Sequence, residues 1–284
     1  VEADAAMYAA KARGKNRYEV FDPSMRSASE LRSQLRTELG DAIARGEFRL
    51  YFQPVIDLAT GEWSGVEALA RWPHPQHGLL EPSDFVDLAE TKGLIVELDR
   101  WALGAACEAI ADIPDITVTV NVSGRSIRRS DFGEMVSTAL RDAGIDGSRL
   151  VLDIADLARD PERARAQVQA AHSSGVRSAL DEFSGDITSL RRLRTLELDY
   201  LKIHHTLVSD LASGKAAETI AGALIDIAHE LGMRAIATGV ETEQQHKTLI
   251  ELGCDLGQGY YWAKPQAIAD LQNALAGQRA AVTG

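Results

Sequence analysis

The chain has 284 residues, 45% of them hydrophobic, and a formal net charge of −12, which allows one large core or two modest ones. This negative charge repels a phosphate backbone, so general binding of DNA is excluded, while a few local cations could still hold a small phosphorylated ligand. The two cysteines, Cys107 and Cys254, predict no disulfide framework but buried small hydrophobes in a reducing, cytoplasmic compartment.

The first predicted elements precede the main body of the chain. Residues 3–18 are rich in Ala, which predicts a helix ending near Gly14, and residues 16–21 are compatible with a short strand. Leucines then recur at every fourth position, which predicts a second helix over residues 27–46. The chain opens with Val1 and shows no secretory signal and no apolar run of about 18 residues. We therefore expect a fragment of a longer protein, with any membrane anchor upstream of Val1.

From Phe48 onward, short apolar runs alternate with helical stretches. Strands are predicted at residues 49–56, 63–71, 117–122, 150–154, 176–180, 200–203, 234–238 and 256–260. Helices are predicted between most of them, at residues 82–92, 97–110, 132–143, 162–173 and 216–231.

This alternation predicts a parallel sheet of the α/β class. About eight strands in about 240 residues is the size of a closed (β/α)8 barrel, the TIM-like architecture. A doubly wound open sheet is the competing architecture, but no glycine-rich dinucleotide turn follows the first strand. The short turn DLATGE at residues 57–62 predicts an antiparallel pairing of the first two strands. The expected fold is therefore a barrel variant with an antiparallel strand pair at its start.

Polar side chains follow most of the predicted strands. Because chemistry in such barrels lies at the carboxyl ends of the strands, we expect these side chains to share one rim. They are Glu67, Arg71, Asn121, Asp153, Asp181, Glu182, Lys202, Thr238, Glu241 and Gln258. Carboxylate and amide oxygens suit a hard divalent cation, and two such cations can hold the reacting oxygens of a phosphodiester. The set predicts metal-assisted phosphoryl chemistry, although each residue taken singly is also compatible with a helix cap, a turn or a surface charge.

Two adjacent histidines, His204 and His205, follow the sixth predicted strand. We expect them to face opposite ways as part of that strand. No third His or Cys lies at ligand spacing, so a zinc site is not predicted there.

Several motifs together carry a resemblance to a known family. Residues 66–72 read VEALARW and contain the signature Glu67-Ala68-Leu69 followed by Arg71. The further motifs are FQP at 52–54, PSDFVDLAE at 82–90, NVS at 121–123, LDEF at 180–183, LKI at 201–203, GVET at 239–242 and QGY at 258–260. In this order and spacing, the chain resembles the EAL family from about residue 40 to about residue 275. Residues 3–18 resemble the end of a GGDEF domain.

The resemblance implies a domain organisation and an activity. It divides the chain into a GGDEF remnant at residues 1–24, a linker helix at 25–40 and an EAL barrel at 41–284. EAL proteins with complete motifs hydrolyse cyclic di-GMP to the linear dinucleotide pGpG with Mg²⁺ or Mn²⁺. The implied partners are cyclic di-GMP, the adjacent GGDEF domain of the same chain and a second copy in a homodimer.

The resemblance also assigns roles by position. Metal-ligand positions are Glu67, Asn121, Asp153, Asp181 and Glu182, with Thr238 at a further position of the second metal site. Lys202 matches the lysine beside the attacking water, and we expect its role and that of Glu67 in catalysis to be vestigial. Ligand-contacting positions are Gln53, Glu67, Leu69, Arg71, Asn121, Asp181, Glu241 and Gln258.

Departures from the family pattern decide the functional expectation. The family has Glu at the position of Asp153, Asp at that of Glu182 and Glu at that of Thr238. After the fourth strand the family has a supporting Glu, and this chain has Asp156 there. The loop usually reading DDFGTGYSSL reads DEFSGDITSL at residues 181–190. A Glu-to-Asp change shortens the arm by roughly 1.5 Å, and a misplacement of about 1 Å can reduce a rate about 100-fold.

These departures predict a degenerate EAL domain that binds the nucleotide or regulates, with little or no hydrolysis. Its expected cofactor is Mg²⁺ or Mn²⁺ or none, and the second metal is expected to bind weakly or not at all. One alternative is an active metal-dependent phosphodiesterase, in which Glu241 replaces the carboxylate missing at Thr238. Another is a nucleotide-independent interaction module, whose partner surface would include residues 184–188 and the two histidines.

Overall fold

The computed structural model describes residues 23–154, 160–183 and 197–282, with the side chains of residues 23–29, 182, 183, 213 and 276–282 outside this description. The described residues group into two compact units, a smaller one of residues 23–49 and 71–94 and a larger one of residues 50–70 and those from 95 onward. Several predicted features lie outside the described residues. They are the helix over 3–18, the strand over 16–21, Asp156 and the loop residues 184–188.

The smaller unit contains α1 (Pro23–Ala44), β3 (Gly78–Leu80) and α2 (Pro82–Lys92). In the larger unit, the described helices are α3 (Ile95–Ile110), α4 (Gly124–Ile127), α5 (Phe132–Ala143), α6 (Pro161–His172), α7 (His205–Asp210), α8 (Lys215–Glu230), α9 (Glu243–Glu251) and α10 (Ile268–Val282). The strands are β1 (Arg49–Asp57), β2 (Trp63–His74), β4 (Thr117–Val122), β5 (Leu150–Ile154), β6 (Arg177–Phe183), β7 (Tyr200–Ile203), β8 (Arg234–Ala237) and β9 (Leu256–Gly257).

The strands of the larger unit close into an eight-stranded barrel in the order β1-β9-β8-β7-β6-β5-β4-β2, with β2 pairing back onto β1. Neighbours from β2 round to β9 run parallel, whereas β1 runs antiparallel to β9. A tight turn joins β1 to β2, and in it the Asp57 N–H donates to the Glu62 carbonyl at 2.9 Å. The predicted barrel with an antiparallel strand pair at its start is therefore confirmed, and the open doubly wound sheet is wrong.

The last predicted strand is shorter than its apolar pattern indicates. Residues 256–260 were expected to be extended, but β9 ends at Gly257. The backbone instead turns beside Val240, whose N–H donates to the Gln258 carbonyl at 3.0 Å. At Gly259 a Cβ would lie 2.0 Å from the Val240 carbonyl oxygen, so this close backbone approach requires glycine.

The two faces of the strands bury different cores. Outward residues such as Val118 and Val120 belong to the large apolar core of the larger unit, which also includes helix residues such as Leu103. A separate apolar layer fills the barrel interior and consists of Val55, Val151, Ala179, Tyr200, Ile236 and Leu256. Because side chains alternate along a strand, residues two positions beyond this layer also face the interior. They are Asp153, Asp181 and Lys202 and, on the oppositely directed β1, Gln53, while Thr238 and Gln258 come directly after the ends of β8 and β9.

The smaller unit has its own core around Trp72, which stacks on Phe48 with ring centroids 5.4 Å apart and meets Phe85 edge-on. Leu35 and Leu39 of α1 are buried. The helix predicted over 27–46 is thus confirmed, with its bounds at Pro23–Ala44. Among the described helices, none combines the length and the apolar character that crossing a membrane requires.

Both cysteines should be unreactive in the folded protein. Burial raises the pKa of Cys107 to about 11 and that of Cys254 to about 12, so almost no thiolate exists near neutral pH. With a thiol-reactive chromogenic disulfide at about pH 8, we expect both to react at least about 100-fold more slowly than a free thiol. Denaturation in guanidinium should restore fast reaction of both thiols, and rapid labelling of the native protein would contradict the observed burial.

Candidate functional site

A cavity of about 430 Å³ opens in the larger unit at the carboxyl ends of the barrel strands. Most of the residues that line it have polar side chains, and they include both acidic and basic groups. The residues that line it are Gln53, Glu67, Leu69, Asp181, Lys202, His204, His205, Ser209, Thr238, Gly239, Glu241, Gln258, Gly259 and Tyr260. The interior apolar layer lies beneath it, so the strand alternation described above explains why polar side chains gather here.

Glu67 is the centre of a hydrogen-bond network at the cavity floor. Its carboxylate accepts from Asn121 Nδ2 at 2.8 Å on one oxygen and from Gln258 Nε2 at 2.8 Å on the other. Gln258 Nε2 also donates to Gln53 Oε1 at 3.2 Å. These contacts join side chains from four parts of the barrel, and they hold both oxygens of Glu67 in defined positions.

Lys202 lies among three carboxylates. Its ammonium nitrogen is hydrogen-bonded to Asp153 and lies 3.4 Å from Glu67 Oε1 and 3.7 Å from Asp181 Oδ1. Lys202, Glu67 and Asp153 are all buried, whereas the Asp181 side chain is 26% exposed. Each of the four residues comes from a different strand and faces the barrel interior, so strand register determines the contacts.

The acidic groups of this cluster outnumber its basic groups, because one ammonium faces Glu67, Asp153 and Asp181. Burial raises the pKa of Glu67, but Lys202 and the hydrogen bonds from Asn121 and Gln258 outweigh it, so the pKa lies below its usual value. For Asp153, burial together with Asp181 and Glu67 raises the pKa to about 8, against the opposing influence of Lys202. Burial lowers the pKa of Lys202, yet the carboxylates raise it well above its usual value, so Lys202 remains charged.

The donor set is chemically suited to one hard cation. Asp153 Oδ1 is buried and has no hydrogen-bond partner within the described residues, so one ligand oxygen is free to accept a cation. Glu67, Asp181 and the amide oxygen of Asn121 are ligands of the same kind. Over the described part of the chain, no three His, Cys, Asp or Glu side chains are already arranged as a metal site. Binding a cation would therefore require these side chains to rearrange around Lys202.

Thr238 does not compensate for the carboxylate that the family resemblance implies at this position. Its hydroxyl donates to the Ile203 carbonyl at 2.9 Å, and its backbone N–H donates to the same oxygen at 3.2 Å. The side chain is thus engaged with the main chain of the neighbouring strand. A neutral hydroxyl held in this way is a poor ligand for Mg²⁺.

The structure gathers most of the predicted site residues. Gln53, Leu69 and Glu241 line the cavity together with the charged cluster. Arg71 lies in the smaller unit, where its guanidinium is 3.8 Å from the Glu81 carboxylate, and its expected phosphate contact stays a prediction. Glu182 lies in β6, and the predicted role of its side chain likewise stays a prediction.

The expectation for the two histidines is wrong. Strand β7 ends at Ile203, and His204 instead caps α7, its Nδ1 accepting from the Thr206 N–H at 3.3 Å. The rings of His204 and His205 lie together, with centroids 4.1 Å apart, and both line the cavity. The sequence pattern did not predict this placement, because strand alternation would separate the two rings. The turn after β7 instead brings both side chains to one wall.

A positioning contact was also missed. The buried carboxylate of Asp99 in α3 accepts from the Ser123 N–H at 3.0 Å and from the Ser123 hydroxyl at 2.6 Å. These bonds fix the turn that follows Asn121. The residues lie 24 positions apart in sequence, and no local pattern links them.

Comparison with known proteins agrees with this geometry. Residues 36–265 match the EAL domain family. The bifunctional diguanylate cyclase/cyclic di-GMP phosphodiesterase MucR of Pseudomonas aeruginosa is 33% identical over 283 residues, covering 97% of this chain and 41% of MucR. The structure of the MucR phosphodiesterase in complex with c-di-GMP has a TM-score of 0.79 and 32% identity, covering 84% of this chain and 99% of that one. The EAL domain of FimX from Pseudomonas aeruginosa, bound to c-di-GMP, has a TM-score of 0.76 and 27% identity, covering 82% of this chain and 96% of that one.

The chain therefore belongs to the EAL domain family. It spans less than half the length of the curated relatives that it matches, among them MucR. The predicted family and the predicted α/β barrel are confirmed.

Replacing Lys202 with Met should expose the charge imbalance of the site. Removing one partner of a buried ion pair leaves the other uncompensated, so in EDTA we expect a loss of about 3–5 kcal/mol in the free energy of unfolding. Added Mg²⁺ should recover part of this loss, because a cation can replace the missing ammonium. Thermal unfolding by calorimetry, with and without Mg²⁺, measures both effects.

Lys247→Met is the matched control. Lys247 pairs with Glu243 on the surface of α9 at 2.7 Å, and the lysine side chain is 62% exposed. Its removal should leave Tm unchanged in either condition, because exposed pairs contribute little to stability. Equal unfolding behaviour of the two variants would contradict the buried charge cluster.

Proposed function

We propose that this EAL domain binds cyclic di-GMP in the barrel cavity and acts as a regulatory module with little or no hydrolysis. Two relatives whose structures have the same fold, MucR and FimX, are bound to c-di-GMP in those structures. Gln53, Leu69 and Glu241 lie on the cavity wall at positions where the family resemblance implies ligand contacts. Arg71 is proposed to add a contact to a phosphate group.

The position of Lys202 is the observation that carries the proposal. Its ammonium already contacts three of the four carboxylates expected to hold metal, so the chain offsets part of their charge without an added ion. A ligand that needs shape, stacking and phosphate contacts can bind such a site, while hydrolysis requires reacting groups placed within about 1 Å. Binding can therefore persist where turnover does not.

A divalent cation remains compatible with the site. Glu67, Asn121, Asp153 and Asp181 would hold one Mg²⁺ or Mn²⁺, which when bound would supply a Lewis acid for phosphodiester chemistry. Asp153 has a shorter arm than the Glu of active relatives, and the Thr238 hydroxyl is bonded to the main chain. We propose that the second cation binds weakly or not at all.

The proposed cellular setting is cyclic di-GMP signalling in the cytoplasm. MucR pairs a diguanylate cyclase with a phosphodiesterase in one protein, as its name states. The resemblance of residues 3–18 to the end of a GGDEF domain supports the same arrangement in the parent protein. The adjacent domain, and a second copy of the chain, are the proposed partners of the regulatory state.

Calorimetric titration with cyclic di-GMP in EDTA tests the binding. We expect saturable heat without any divalent cation, because Lys202 and not a metal ion offsets the charge of the carboxylates. Gln53→Ala should weaken binding, and Lys247→Met on α9 should leave it unchanged. Absence of heat up to high micromolar ligand would rule out the proposed binding.

Chromatography for pGpG after incubation with Mn²⁺ tests the proposed loss of hydrolysis. The natural chain should give little or no product, whereas a variant combining Asp153→Glu, Glu182→Asp and Thr238→Glu restores the family's carboxylates and should gain activity. Adding Glu67→Ala to this variant should abolish the gain. Metal-dependent product from the natural chain that disappears on Glu67→Ala would show the domain to be an active phosphodiesterase.

A further inference from the structure

We propose that His204 and His205 form a phosphate-contacting pair on the cavity wall, in place of the second cation that the family resemblance implies. The inference rests on the proposed function, since it names residues of the same site that recognise the ligand. Its ligand class is a phosphodiester anion, of which cyclic di-GMP is the probe.

The cavity is acidic, so an anionic ligand needs hydrogen-bond donors on its walls. An anionic ligand must approach walls that contain Glu67, Asp181 and Glu241. Lys202 lies in the same cavity, and it is already in contact with three acidic side chains. His204 and His205 line the same cavity, and their ring N–H groups can donate to an anion.

The cap of α7 determines which nitrogen of His204 is available. Nδ1 accepts the backbone N–H of Thr206 at 3.3 Å and lies 2.9 Å from the Thr206 hydroxyl. Since Nδ1 is an acceptor, the hydrogen atom of the neutral ring lies on Nε2. The cap thus orients the imidazole as a hydrogen-bond donor through Nε2.

A close backbone approach positions His205. Gly239 has a φ of +73°, and a Cβ built on it would lie 2.5 Å from the His205 Cβ. Glycine at this position lets the start of α7 lie against residues 238–239, where Thr238 replaces the family's carboxylate. His205 is therefore next to the position where the second cation would have lost its ligand.

The pair is suited to an anion better than to a transition metal. The rings lie 4.1 Å apart between centroids and tilted by 43°, so they form one continuous imidazole surface on the wall. Within the described residues, no third His, Cys, Asp or Glu completes a metal site with them. A phosphate group offers several acceptor oxygens, and two neighbouring N–H donors can bind it together.

Calorimetric titration with cyclic di-GMP in EDTA, near neutral pH, tests the pair. His204→Asn keeps a side chain that can cap α7 but removes Nε2, and His205→Gln removes the ionisable ring. We expect the double variant to bind about tenfold more weakly, which is the effect of losing one or two charge-assisted hydrogen bonds. Combining His204→Asn with His205→Lys should recover most of the affinity, because the lysine ammonium supplies hydrogen-bond donors in place of the ring.

His229→Gln is the matched control, since His229 lies on α8 and bonds Asp255 at 2.8 Å, near the opposite ends of the strands. The His229→Gln variant should bind cyclic di-GMP with the affinity of the natural chain. The Tm of every variant should equal that of the natural chain. If the natural chain binds and the double variant binds equally well, the histidine pair is overturned while the proposed function stands. If the natural chain gives no heat, the proposed function fails first and the pair fails with it.

Discussion

The ion cluster around Lys202 is the interaction on which the rest of this site depends. Moving a carboxylate or an ammonium ion out of water costs several kcal/mol, and the cost is offset only by close partners of opposite charge and by hydrogen bonds. Here one ammonium serves Glu67, Asp153 and Asp181, while Asn121 and Gln258 donate to the Glu67 oxygens. The amide donors and the lysine thus stabilise the same carboxylate from different strands. This arrangement makes the cavity floor a fixed charge distribution and not a flexible surface.

The barrel beneath the cluster makes that arrangement possible. Parallel pairing places Asn121 opposite Asp153, and β5 in turn places Asp153 opposite Ala179 of β6. The apolar layer two residues below excludes water from the floor, which strengthens each electrostatic interaction above it. A shift of one strand by a single residue would turn its charged side chain out of the interior. Sheet register therefore determines which charged side chains face the site.

The same geometry separates binding from catalysis. A phosphodiester ligand needs donors and a cavity of suitable shape, and the walls offer both. Cleavage would need cations held at defined positions, yet the hydroxyl of Thr238 bonds the main chain and Asp153 bonds Lys202. The histidines at the start of α7 add donors on the wall beside residue 238. Their proposed role explains how an acidic cavity could attract an anion when metal is absent.

Much of the fold could be predicted from the sequence, because apolar period and turn residues are local properties. The pattern gave β4, β5, β7, α2 and α5 with their observed bounds, and the turn at residues 57–62 predicted the reversed first strand. The residue types that follow the strands also predicted that Glu67, Asp153, Asp181 and Lys202 lie on one rim, since the carboxyl ends of parallel barrel strands lie at the same face.

Tertiary structure alone decided which of these groups touch. The contact of Lys202 with three carboxylates depends on barrel closure, which joins residues up to 135 positions apart. The Asp99–Ser123 bonds, the Thr238 bond to β7 and the adjacent rings of His204 and His205 depend on how separate segments meet in space. Sequence spacing fixes the face on which a side chain lies along its own strand. Distances between strands follow from packing and closure, which no single segment encodes.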